Sequence, residues 1–232
     1  MQVSRAVPNP VLPAAHRNRI LHKCLTRTPS RCSILRSQLQ SLRTEDGRLC
    51  PEVEVTSAIF LESHMDDFRI RSAARDDVPR LTEIYNHYVV HTPVTFDVEP
   101  YTVERREQWF QQFAKTGRYR LIVAEDRSAI LGYAGTTRFR PKAAYETTVE
   151  TTIYCAPQAI GKGIGRGLYE ALFRALDGED IHRFVAGYAL PNPGSAALHA
   201  HFGFKLVGIF TQNGRKFGKY WDVAWMEKTA NQ

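Results

Sequence analysis

Four glycines, Gly161, Gly163, Gly165 and Gly167, alternate through the run "APQAIGKGIGRGLYEAL", and Ile164, Leu168, Ala171, Leu172, Ala175 and Leu176 then follow at helical spacing. A glycine-rich loop therefore opens a helix. Backbone without Cβ atoms can approach a ligand closely, and the first helical turn aims unpaired N–H groups and the positive end of its dipole at it. Such a place suits a pyrophosphate, with Lys162 and Arg166 able to add charge, although the same glycines also make an ordinary tight turn. Two familiar phosphate loops are excluded. No Gly-Lys-Ser/Thr follows, as a Walker A loop requires, and the loop stands too late in the chain for a dinucleotide fingerprint, whose distant acid would fall on Asp177, Glu179 or Asp180 at a helix end. Upstream, Glu150 stands alone in the strand-like run "TVETTIY", where on its own it reads as a solvent-facing carboxylate.

The elements that must position these residues begin near Met65. Phe68–Ser72 alternates as a short strand, and Asp76 or Asp77 offers an N-cap for a helix with Val78, Leu81, Ile84, Tyr85 and Tyr88 on one face. A second helix spans 103–113, with Gly117 ending it. Strands are expected at 119–125, 131–138 and 145–155, the first two joined by a turn over 126–129. After the glycine loop and its helix come a strand at 184–190, a short helix at 195–202 and strands at 204–210 and 217–225. The order βααβββαβαββ predicts an α/β fold in which a mixed central sheet is flanked by helices on both faces.

Composition narrows the class. The chain has 232 residues, 43% of them hydrophobic and 11% aromatic, and no run approaches the ~20 apolar residues that span a bilayer. Of its 31 basic and 24 acidic residues, nine and five fall within 1–64. The surplus over 65–232 is small, which argues against a nucleic-acid partner. Cys24, Cys32 and Cys50 lie in the first segment and Cys155 beyond it, which gives neither a disulfide framework nor metal-ligand spacing, so a reducing compartment and no metal are expected. Residues 1–64 show no sustained period and are expected to be a poorly ordered extension, with the folded domain over 65–232. Residues 1–44 contain no acid and are rich in Arg and Ser, as a mitochondrial transit peptide is; the alternative is translation from Met65.

The glycine loop resembles the acyl-CoA pyrophosphate loop of the GNAT superfamily. The runs "NHYVVHTPVTFDVEP", "AYETTVETTIY" and "LPNPGSAALHAHFGF" are similar to its phosphinothricin N-acetyltransferase branch, in the same order from Arg69 to Met226. One position departs from the pattern: Ile160 stands where Gln or Arg is usual. The resemblance implies acetyl-CoA as cosubstrate, held by the backbone of Gly161, Lys162, Gly163, Ile164, Gly165 and Arg166, by edge groups of Ile153, Tyr154 and Cys155, and by Asn192 and Ser195. It implies Glu150 as general base and His199 as a proton donor or substrate contact, the alternative for His199 being a satisfied structural histidine. Phe96, Tyr145 and Tyr154 would wall an acceptor pocket, and Lys142 would meet the acceptor's acidic group without the fork of an arginine. The implied reaction is acetylation of a small amino-acid-like amine such as phosphinothricin or methionine sulfoximine by direct attack in a ternary complex, in a cytoplasmic homodimer. Acetylation of another amine, including a protein N-terminus or a polyamine, or acyl-CoA sensing without turnover, are the alternatives.

Overall fold

The computed structural model describes residues 68–230, so the extension expected over 1–64 lies outside the described residues. The chain forms β1 (Arg69–Ser72), α1 (Val78–His91), α2 (Val103–Phe110), β2 (Leu121–Glu125), β3 (Ile130–Arg138) and β4 (Thr148–Cys155). It continues with α3 (Ile164–Ala175), β5 (Arg183–Ala189), α4 (Pro193–His201), β6 (Lys205–Lys216) and β7 (Lys219–Thr229). This is the order read from the sequence. The seven strands form one sheet in the order β1-β2-β3-β4-β5-β7-β6, antiparallel everywhere except between β4 and β5.

Side chains of β4 alternate between two layers, as the pleat requires. Tyr154 turns toward α1, where its ring meets Tyr85 edge-on at 5.0 Å and Tyr88 at 5.2 Å. Ile153 and Cys155 turn toward α3, close to Gly165. Leu168, Tyr169 and Leu172 of α3 are fully buried against β2 and β3, and Leu81 and Ile84 of α1 supply the other layer. Arg106 of α2 is only 4% exposed. Its guanidinium lies 3.5 Å from the Trp109 ring centroid and 4.3 Å from that of Tyr85, and it donates to the Tyr133 hydroxyl at 2.8 Å. Aromatic faces take the place of a carboxylate around this cation.

Several boundaries differ from the sequence reading. The second helix stops at Phe110, because Phe113 leaves the helical path to stack edge-on with Trp109 at 4.8 Å. Asp77 precedes α1, but its carboxylate accepts from Ala74 N–H at 2.7 Å and from Arg71, capping a preceding 3-10 turn instead. Residues 143–145 form another 3-10 turn, so Tyr145 lies before β4 rather than on it. The last two strands are longer than read: they meet in a turn at Phe217 and Gly218, both at positive φ, and absorb irregular register between Phe210 and Gly214. Helical cover is also incomplete, since β6 leaves Leu206, Val207, Ile209 and Phe210 exposed.

Candidate active site

The parallel pair β4–β5 shares only three rungs, Thr148 with Arg183, Val149 with Phe184 and Glu150 with Val185. Beyond Glu150 the strands part: Gly132 to Gly135 of β3 pair with Thr152–Cys155, while Ala186–Ala189 pair with β7. Glu150 thus stands at the fork of the sheet. Its carboxylate has no hydrogen-bond or ion-pair partner among the described residues and is half-buried. Burial raises its pKa above the usual carboxylate range, and the positive charge of Arg140 opposes part of that rise. A carboxylate so tuned is a better proton acceptor near neutral pH. Arg140 lies in the loop after β3, stacked over Phe139 at 4.8 Å, and is a functional candidate the sequence reading passed over. Its only signal was its place two residues before Lys142.

Backbone groups of an antiparallel strand turn alternately to its two neighbours. Ala156 N–H donates to Leu131 O at 2.7 Å, which turns the Tyr154 backbone toward β3 as well and leaves those of Ile153 and Cys155 facing the gap. This corrects the expectation for Tyr154: its backbone is committed to the sheet, and its ring packs against Tyr85 and Tyr88 of α1. The Cys155 carbonyl accepts from the Tyr88 hydroxyl at 2.6 Å, which ties the end of β4 to α1. Burial pushes the Cys155 thiol up to about 11, so it stays protonated and is no nucleophile.

The glycine loop lies at the mouth of the same gap. Gly161 and Gly163 adopt φ of 79° and 81°, the left-handed region that a side chain would strain, and Gly163 caps α3. Gly161, Gly163, Ile164, Gly165 and Arg166 donate their N–H groups to no acceptor among the described residues. That nest fits a diphosphate. Gly165 packs beside Leu198 of α4 and Ile153 of β4, where a Cβ would make ordinary contacts at 3.5 Å and 3.6 Å. The Ile164 side chain is buried, so its backbone alone faces the loop. Arg166 reaches back to Glu170 at 2.8 Å, and Lys162 is exposed. Asn192 caps α4 by accepting from Ser195 N–H at 3.0 Å, which leaves its amide N–H groups for a ligand.

His199 requires correction as a proton donor. It is 4% exposed, its Nδ1 meets the Ser195 carbonyl at 2.7 Å and its Nε2 the Tyr169 hydroxyl at 3.0 Å. Nδ1–H therefore donates, Nε2 accepts from Tyr169, and burial lowers its pKa so that the ring is neutral. The ring also stacks on Tyr188 at 5.7 Å. Both nitrogens are occupied, Nδ1 within α4 and Nε2 on Tyr169 of α3, on the face of the sheet opposite Glu150.

The residues expected to wall an acceptor pocket fall into two clusters. Tyr145, 43% exposed, meets Phe139 edge-on at 5.8 Å, and Phe139 meets Trp225 of β7 at 6.0 Å. Lys142 precedes Tyr145 in the same turn and is exposed. Phe96, in the connection between α1 and α2, packs on Gly214 of β6. Gly187 leaves the strand surface bare beside the Trp225 ring, where a Cβ would lie 3.2 Å from it.

Residues 70–225 match the family described as acetyltransferase (GNAT) domain. The chain belongs to this family. It is an acetyl-CoA-dependent N-acetyltransferase. A phosphinothricin N-acetyltransferase of Streptomyces coelicolor is 52% identical over 164 residues, covering 70% of this chain and 96% of that protein. An L-methionine sulfoximine/L-methionine sulfone acetyltransferase of Pseudomonas aeruginosa is 34% identical, covering 68% and 92%. Among solved structures, a GNAT superfamily phosphinothricin acetyltransferase of Sinorhizobium meliloti in complex with acetyl-CoA superposes with a TM-score of 0.66 at 32% identity, over 70% of this chain and 88% of that one.

Proposed function

We propose that this acetyltransferase acetylates the amino group of a small amino-acid-like acceptor, of the class of phosphinothricin and methionine sulfoximine, with Glu150 as general base. The observation that carries this reading is the unpartnered carboxylate at the last shared rung of β4 and β5. Names of the relatives supply the acceptor class.

The nest of Gly161, Gly163, Ile164, Gly165 and Arg166 holds the diphosphate of acetyl-CoA, with Lys162 adding charge and Asn192 and Ser195 meeting the arm beyond it. Ile153 and Cys155 offer the arm their strand edge, which brings the thioester to the fork. Glu150 takes a proton from the acceptor's ammonium, directly or through water, and the freed amine attacks the carbonyl carbon. A gap-facing N–H receives the negative charge that develops on the oxygen. The C–N bond forms, the nitrogen gives up its second proton to solvent, the C–S bond breaks, and the sulfur leaves as a thiolate that solvent can protonate. Arg140 and Lys142 hold the acceptor's acidic group, and the rings of Phe96, Tyr145 and Tyr154 enclose it. With Arg140 in this role, the fork lost at position 142 is restored two residues away.

The exposed apolar margin of β6 supports association into a homodimer, which mass measurement in solution tests. The cysteine usage supports a cytoplasmic setting. The acceptor is tested with a panel of amino acids and analogues assayed for acetyl-CoA-dependent thiol release, followed by mass identification of the product. Turnover of phosphinothricin or methionine sulfoximine above every peptide and polyamine tested is the expected result. A peptide N-terminus as best substrate would overturn the assignment.

A further inference from the structure

Lys216, near the tip of the β6–β7 hairpin, is 4% exposed, and its ammonium donates to the Thr95 carbonyl at 2.8 Å across 121 residues of sequence. Burial lowers its pKa, and the negative charge of Asp97 opposes the shift. A lysine taken out of water costs more than a methionine of similar length would, so its presence calls for a positional reason. What it touches is the connection that carries Phe96. Tyr85 grips the same connection from α1: its hydroxyl lies 2.8 Å from Thr95 Oγ1 and donates to the Asp97 carboxylate. Two residues before Lys216, Gly214 gives the Phe96 ring its seat, since a Cβ there would lie 2.2 Å from the ring. The hairpin is itself braced, with Trp221 Nε1–H donating to the Lys216 carbonyl at 3.0 Å. Residues 95–97 are thus held at three consecutive positions, by Lys216 on the Thr95 carbonyl, by Gly214 under Phe96 and by Tyr85 on Asp97.

We infer that Lys216 is a positioning residue for the acceptor pocket: together with Gly214 it staples the Phe96 connection to the β6–β7 hairpin, so that a hairpin with no part in proton or acetyl transfer sets how tightly the acceptor is held. The inference rests on the reading of Phe96 as a wall of that pocket. It separates two quantities that a general loss of structure would move together. Loosening the staple weakens acceptor binding and leaves the glycine nest and Glu150 in place.

The test uses the full chain with Lys216→Met and, separately, Gly214→Ala, which removes no hydrogen bond and serves if the lysine variant fails to fold. Each is expected to raise the acceptor KM about tenfold. The kcat at saturating acceptor should stay within about twofold of the parent and acetyl-CoA affinity by calorimetry should not change, because binding is lost without loss of the chemical step. Amide hydrogen exchange over residues 92–99 should quicken while β4 keeps its protection. Unchanged exchange with an unchanged KM would overturn the staple. Faster exchange with an unchanged KM would overturn the inference at its base, by showing that Phe96 does not bound the acceptor. Parallel loss of acetyl-CoA affinity would reduce Lys216 to a general structural residue.

Discussion

Glu125 at the β1–β2 margin and Glu150 at the β4–β5 fork belong to one sheet, and the fold treats them in opposite ways. Glu125 accepts from Arg71 at 2.7 Å and from Arg69 at 2.5 Å, and Arg71 also grips Asp77 at 2.6 Å. The Arg71 hydrogen bond is the chief cause that holds the Glu125 carboxyl below its usual range. Glu150 has no such partner, and burial moves it the other way. A carboxylate surrounded by arginines has its charge fixed and can only hold elements together. One left unpaired in a cleft can exchange a proton on demand.

The contrast can be broken at its centre. Glu150→Gln keeps shape but not basicity, and kcat should fall by about a thousandfold at neutral pH, with acetyl-CoA affinity within twofold by calorimetry. Equal loss of both would mean that the fork has no separate chemical part. At the other glutamate the expected outcome reverses. Arg71→Met takes one partner from each of two carboxylates, leaving Glu125 with Arg69 and Asp77 with the Ala74 N–H, and should cost about 1 kcal/mol in a urea titration, a figure reduced because Arg71 is partly exposed, while kcat per folded molecule stays unchanged.

Gly163→Ala, at a φ of 81°, should cost about 1 kcal/mol and weaken acetyl-CoA binding roughly fivefold without moving the acceptor KM. The smallest effect lies in pH. With Glu150 as the proposed base, kcat/KM should fall as pH drops through its raised pKa. Stability from Glu125 and Asp77 has the opposite placement, since their folded pKa values are depressed. Their contribution is present above the unfolded carboxylate range, about pH 4, and is lost only as pH falls through the lower folded values. As pH is lowered, thiol release should begin to fall while circular dichroism still reports a folded protein. Coincident midpoints would remove the distinction between the two sites.

Element order was legible because it depends on local patterns: the glycine run before a 3.6-residue period, and β-branched runs bounded by turns. Glu150 stood out only through its neighbours, since a lone glutamate in a strand says nothing by itself. The misread features share a physical cause. Whether His199 faces a cleft or the core depends on Tyr169, thirty residues away, and which backbone groups of β4 are free depends on its register with β3. Lys216 and Gly214 carried no signal, and Arg140 only its place near Lys142, because a cation or glycine in a loop or hairpin acquires meaning from what packs against it. Tyr145 was placed on a strand by its type, yet tertiary packing on Phe139 put it in a turn.

Because β4 and β5 are joined by three rungs alone, the sheet is two blocks sharing a short seam, and a bound coenzyme arm would complete the missing length like an added strand. Saturation at a hundredfold over Kd is worth about 2.7 kcal/mol to the folded form. The melting temperature of this acetyltransferase should therefore climb with acetyl-CoA concentration, and a cell depleted of the thioester would hold a less durable enzyme as well as an idle one.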